Sequence, residues 1–288
     1  MMAHVAEAGE ASGRVLFWVE EGEAQIEPAA HAAVRFASSF NAEIETVVIN
    51  HDALMRAGAL KSSTLVAHPH APPRAEKGLD RVEAVQSLLT LRHRRTVEHA
   101  ARRHGVLCRH SQTVGEPIDR LAEFCLVRGP WNIVVLSPPA SEATEQQVGA
   151  IFANVSGATG IVIAPKRIEN PEGEIVVVIE DAERLSAMLR VAGRLKGLCG
   201  RVRMLLAVDR REDLAELEAA VRIMTTNHAG LEVVPMGPML GVAGALDDTL
   251  RQMRPGFVIA CFGGTLLPTA RALTRTVSMA AAPFLLVR

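Results

Sequence analysis

The chain contains no tyrosine, and aromatic residues make up only 3% of its 288 residues. Single-stranded nucleic acid is held on stacking platforms, so this scarcity weighs against such a partner. Charge of one sign is scarce too: 31 Lys+Arg stand against 32 Asp+Glu, a formal net charge of -1. Nothing in that balance calls for nucleic acid or an anionic membrane surface. No stretch approaches the ~18 uninterrupted apolar residues of a membrane span. The four cysteines, Cys108, Cys125, Cys199 and Cys261, form no C-x-x-C pair, and three lie in apolar segments. Buried reduced thiols in a cytoplasmic protein are the expectation. G-x-S-x-G and H-E-x-x-H are also missing, so neither motif nominates a nucleophile or a metal-assisted hydrolase.

What is present is a normal globular balance, 49% apolar and 22% charged, with length enough for two domains. Residues 1–13 lack an apolar h-region and read as a disordered leader, not a signal peptide. Residues 14–166 and 174–288 then show the same alternation of strands and helices, joined by a charged linker at 167–173.

In the first half, Arg14–Val19 is a continuous apolar run that suits a central parallel strand. A helix from about Pro28 carries Ala30, Ala33, Val34, Ala37 and Phe40 at helical spacing. Strands follow at Glu43–Asn50, Val106–Val114 and Trp131–Ser137, and helices at Leu79–His104, from Pro117 and at Glu145–Val155. An irregular segment near 51–77 has no counterpart in the second half, where the pattern otherwise repeats from Ile175–Ile179 to a last helix at Leu266–Met279. Each half closes on a short apolar strand, Gly160–Pro165 and Pro283–Val287. Such alternation implies two tandem Rossmann-like α/β domains, each a parallel sheet with helices on both faces. In such sheets ligands sit at the strand carboxyl ends, where strand order reverses.

The element order, the acidic residues after the first strand, Gly115-Glu116-Pro117 and the terminal Pro-Phe-Leu-Leu-Val-Arg together resemble the universal stress protein family. The resemblance spans nearly the whole chain, once per half. It implies five-stranded sheets of order 3-2-1-4-5, a stress-response type role, and pairing of the halves through Ile161–Pro165 and Phe284–Val287 as an intramolecular pseudo-dimer. It also leaves room for a homodimer of whole chains. The family's nucleotide-binding branch carries G-x-x-G, nine residues, then G-[ST] after the fourth strand, and this sequence departs from that in both halves. Ser137-Pro138-Pro139-Ala140 removes two N–H donors. Phe262-Gly263-Gly264-Thr265 keeps them, but the nearest match to the downstream pair is Thr276-Val277-Ser278.

Several residues therefore carry two readings. Glu20, Glu21, Glu180 and Asp181 stand where the family's acidic residue lies beside the nucleoside; an N-cap is the preferred reading of Asp181. Gly263, Gly264 and Thr265 suit a phosphate at a helix start and equally a tight turn capped by Thr265. With Ser278 they form the candidate cofactor-binding set. Gly237, Gly241 and Gly244 have the wrong spacing for a dinucleotide loop and read as a flexible loop. His68-Pro69-His70 lacks a third metal ligand, and no metal site is expected. Arg92, His93, Arg94, Arg95, Arg102 and Arg103 spread round one helix as a solvated face.

The expected function is a non-enzymatic binding or regulatory module. The alternative is an adenine-nucleotide binder that uses only the C-terminal half, holding ATP or AMP with Mg²⁺, with slow hydrolysis as an extension.

Overall fold

The structure, a computed structural model, describes residues 13–20, 23, 25–50, 78–127, 131–137, 139–183, 185–199, 201–208, 211–225, 231–235, 245–264, 267 and 270–287. Glu21, the segment 51–77 with His68 and His70, Pro138, Gly237, Gly241, Gly244 and Thr265 lie outside the described residues, as does nearly all of the expected leader.

The first half runs β1 (Arg14–Val19), α1 (Glu27–Ser39), β2 (Glu43–Asn50), α2 (Gly78–Arg103), β3 (Cys108–Val114), α3 (Pro117–Val127), β4 (Asn132–Leu136), α4 (Glu142–Asn154) and β5 (Ala158–Ile163). The second runs β6 (Ile175–Ile179), α5 (Leu185–Cys199), β7 (Val202–Leu206), α6 (Arg211–Thr225), β8 (Leu231–Pro235), α7 (Ala245–Met253), β9 (Phe257–Cys261), α8 (Ala270–Ala280) and β10 (Phe284–Val287). The order within each half is that implied by the resemblance, 3-2-1-4-5. The halves share one ten-stranded sheet, β3-β2-β1-β4-β5-β10-β9-β6-β7-β8.

Every pairing is parallel except the central one, where β10 runs antiparallel to β5 with Phe284 opposite Ile163 and Val287 opposite Gly160. Gly160 is there for space. A Cβ built on it would lie 2.9 Å from the Leu286 carbonyl and 3.0 Å from Ile133 Cδ1.

Alternation along each central strand sends side chains to opposite faces. Val15, Phe17 and Val19 join a core built with α1, α2, α5 and α6, while Leu16 and Trp18 join a second built with α3, α4, α7 and α8. Both cores run through both halves. Across the join Phe152 of α4 stacks on Phe262, centroids 5.1 Å apart, and the Arg194 guanidinium of α5 lies 5.2 Å from the centre of the Phe40 ring. Along the edge strand β3 every position is exposed or half-buried, as its polar sequence predicts.

Differences from the expected boundaries have local causes. α4 begins at Glu142 because Ser141 caps it, its Oγ accepting from the Thr144 N–H at 3.4 Å. α8 begins only at Ala270, after the turn in which the Gly263 N–H bonds the Leu267 carbonyl. Among the described residues no helix is long and apolar enough to cross a membrane.

Candidate functional site

The reversal points of the two halves lie at the carboxyl ends of β1 and β4 and of β6 and β9. In the first half the ends of β1 and β4 are bonded to one another. Ser137 is buried; its N–H donates to the Trp18 carbonyl at 3.0 Å and its Oγ accepts from the Glu20 N–H at 2.9 Å. The turn beyond is held by Thr144 Oγ1 donating to the Pro139 carbonyl at 3.1 Å and by the Ala140 N–H donating to the Ala164 carbonyl at 3.1 Å. The sequence reading missed the role of Ser137. A serine ending a buried strand was the available signal, but its partner Glu20 is 117 residues away in the chain.

In the second half two of the expected residues meet. Gly264 and Glu180 are in contact: a Cβ built on Gly264 would stand 2.5 Å and 2.7 Å from the two carboxylate oxygens of Glu180. Gly263 takes φ +78°, a region that favours glycine. Its N–H is already committed to Leu267. A phosphate approaching this turn therefore meets a carboxylate and one donor fewer than a helix start provides. Among the described residues this arrangement opposes a phosphate chain, and no step through ATP or AMP follows from them.

The other expected residues lie elsewhere. Asp181 is half-buried just after β6, four residues before α5 begins. An extra turn, with the Leu185 N–H bonding the Ala182 carbonyl at 3.4 Å, intervenes before α5 starts at Leu185. Ser278 is exposed in the last turns of α8, eight residues past its start, roughly 12 Å along the helix at ~1.5 Å per residue. It is not brought to Gly264. Its neighbour Thr276 faces inward and donates from Oγ1 to Asp247 Oδ1 of α7 at 2.7 Å, while Arg275 Nε holds Oδ2 at 2.8 Å.

Among the described residues one cysteine–histidine contact is present. Cys108 Sγ lies 3.7 Å from His110 Nε2, and the same nitrogen lies 3.1 Å from Glu98 Oε1. An activated thiol needs the carboxylate on the opposite ring nitrogen. Burial also pushes the Cys108 thiol up from its ordinary value, so the thiolate is disfavoured. Among the described residues no cluster of three or more His, Cys, Asp or Glu side chains could hold a metal. A cleft of about 620 Å³ lies at the opposite end of the second half, lined by Asn170, Arg254 and the ion-paired Glu174 and Arg203, 3.2 Å apart.

No protein-family model and no curated protein matches the chain. Solved structures do. A universal stress protein from Archaeoglobus fulgidus DSM 4304 superposes with a TM-score of 0.64 at 9% identity, covering 96% of this chain and 98% of its own. A functionally unknown protein from Pseudomonas aeruginosa PAO1 gives 0.53 at 12% identity, with 95% and 92% covered. A protein from Pseudomonas aeruginosa UCBPP-PA14, described as a universal stress protein, gives 0.52 at 11%, again with 95% and 92% covered. Along nearly its whole length, the chain has the fold of the universal stress proteins.

Proposed function

We propose that this protein is a non-enzymatic binding or regulatory module of the stress-response type, working as an intramolecular pseudo-dimer whose two reversal-point crevices do not take nucleotides. The observation that carries this reading is the Glu180 carboxylate on the α-carbon of Gly264. A phosphate placed there would bring like charge to like charge at van der Waals distance. The fold likeness supports the stress-response setting, and the free cysteines Cys108 and Cys125 suit the reducing cytoplasm.

The second reading, an adenine-nucleotide binder using the C-terminal half with Mg²⁺, draws on Gly263 and Gly264 before α8 and on Glu180 and Asp181 as the nearby carboxylates. It requires the Glu180 side chain to swing away.

Thermal unfolding with AMP, ADP and ATP, each with Mg²⁺, separates the two. A ligand at ~100 times its Kd adds about 2.7 kcal/mol of stability. The expected result is no stabilisation by AMP and none by ATP beyond that of an adenosine-free triphosphate. An adenosine-dependent shift that disappears in Gly264→Pro, with the variant still folded, would establish the second reading instead.

A further inference from the structure

α1 and α2 pack side by side on one face of the sheet, and a groove of about 560 Å³ opens between the start of α1 and the last turns of α2. Arg95, His99, Arg102 and Arg103 line it from α2, and His31 lines it from α1. Positions 95, 99, 102 and 103 recur at helical spacing, so they share one face of α2. Arg94 points to another side of the helix, and Arg92, one turn before Arg95, lies off the groove.

Two carboxylates also line the groove, and both are engaged by basic side chains, Glu98 in part by Arg102 of the groove itself. Glu98 Oε1 meets Arg94 Nε at 2.7 Å and His110 Nε2 at 3.1 Å, and Glu98 Oε2 meets Arg102 at 3.5 Å. Glu27 faces Arg92 at 3.9 Å. Arg95 and Arg103 have no carboxylate within ion-pair distance among the described residues. Two guanidinium groups thus line the groove without an ion-pair partner among the described residues, in a chain whose formal net charge is -1.

We propose that the α1–α2 groove binds a small ligand bearing a phosphate chain, gripped by Arg95 and Arg103 and completed by Arg102 and His99. The planar guanidinium fork matches phosphate oxygens two at a time. From Arg95 to Arg103 is roughly 12 Å at ~1.5 Å per residue. That is the reach of a few linked phosphates and short for a nucleic-acid strand. The groove volume is that of a small-molecule site. It lies between two helices on one face of the sheet, distinct from the crevice at Glu180 and Gly264, and does not depend on how that crevice is read.

The test is calorimetric titration of the full chain with inorganic tripolyphosphate at fixed ionic strength. Saturable binding is expected, weakened at least tenfold in the double variant Arg95→Gln/Arg103→Gln and several-fold in Arg95→Lys/Arg103→Lys, which keeps the charge and loses the fork. Arg251→Gln, an exposed arginine of α7, should change it less than twofold. ATP should bind with at least equal affinity and lose as much in the double variant; ATP binding without tripolyphosphate binding would refute a phosphate-chain site. The proposal is also overturned by binding no stronger than that of sulfate, by equal weakening in Arg251→Gln, or by undiminished binding in a double variant of unchanged Tm.

Discussion

The carboxylate of Glu180 rests against the α-carbon of Gly264, with room for a hydrogen there and none for a methyl group. The contact couples the end of β6 to the turn after β9, so each residue's substitution should depend on the other. Gly264→Ala must push the carboxylate aside and should destabilise by about 1 kcal/mol, the low end for overpacking. In a Glu180→Ala background the same change should cost less than about 0.5 kcal/mol. Urea unfolding of the four proteins of this cycle measures the coupling; additive effects would show that the contact carries no energy.

A second prediction concerns the join between the halves. Gly160 faces the Leu286 carbonyl at 2.9 Å from a built Cβ, and that neighbour is backbone, unable to rotate away. Gly160→Val should lose about 1–3 kcal/mol. Hydrogen exchange should show the loss first at the β5–β10 ladder, and equal protection there in variant and parent would count against it.

Arg14 and Glu45 form an ion pair whose side chains are 4% and 9% exposed, with Ser111 Oγ donating to the second Glu45 oxygen at 2.6 Å and Arg14 donating to the Phe124 carbonyl. Glu45→Ala leaves the guanidinium buried without its counter-ion and should cost about 3–5 kcal/mol. Arg14→Met/Glu45→Leu should cost less than Glu45→Ala alone. Denaturant midpoints decide; a double variant worse than the single would mean that the pair itself, and not the orphaned charge, is what matters.

The pH response follows from histidines that are partly desolvated, of which His93 is buried. Burial is the first cause holding His31, His93 and His110 below their ordinary value of 6.5, and His93 Nε2 also contacts the Glu23 carbonyl at 2.7 Å. As pH falls through 6.5 the unfolded chain takes up protons that the folded chain resists. The contribution is therefore complete above that pH and declines below it. His93→Leu should flatten the dependence of the urea midpoint between pH 7.5 and 5.5. At the alkaline end burial pushes the Cys125 thiol up to about 11 from 9.0. Its contribution is present below pH 9 and is lost as pH rises towards 11. A thiol reagent should reach Cys125 only as the protein unfolds.

The strands were legible because the sheet writes them as runs: Ile175–Ile179 is all β-branched and buried at every position. The pairing of the last strands came from the resemblance rather than from the residues, since nothing in Phe284–Val287 itself names β5 as its neighbour. Side-chain roles at the crevices were less legible. Asp181 has the chemistry of a cap, but whether a helix starts at once or after another turn is set by packing of Leu185 into the core. Ser278 matched a motif by type, and the helical rise carried it away from the turn it was paired with. The basic residues of α2 are solvated as the sequence implied, Arg92, Arg94, Arg95, Arg102 and Arg103 all being exposed, but the groove they border could not be read there because α1 supplies His31 from 64 residues upstream of Arg95.

A sheet that ends at β3 and β8 has two edges where a separated pair of sheets would have four. Exposed edges recruit other chains. Here the two that would recruit most readily, each a buried apolar strand, cover one another within a single polypeptide. A two-chain assembly built on the same ladder would come apart on dilution, whereas tethering turns its closure into an intramolecular step. The join between β5 and β10 is thus indifferent to how many copies the cell makes, and the protein keeps its architecture at whatever abundance it is expressed.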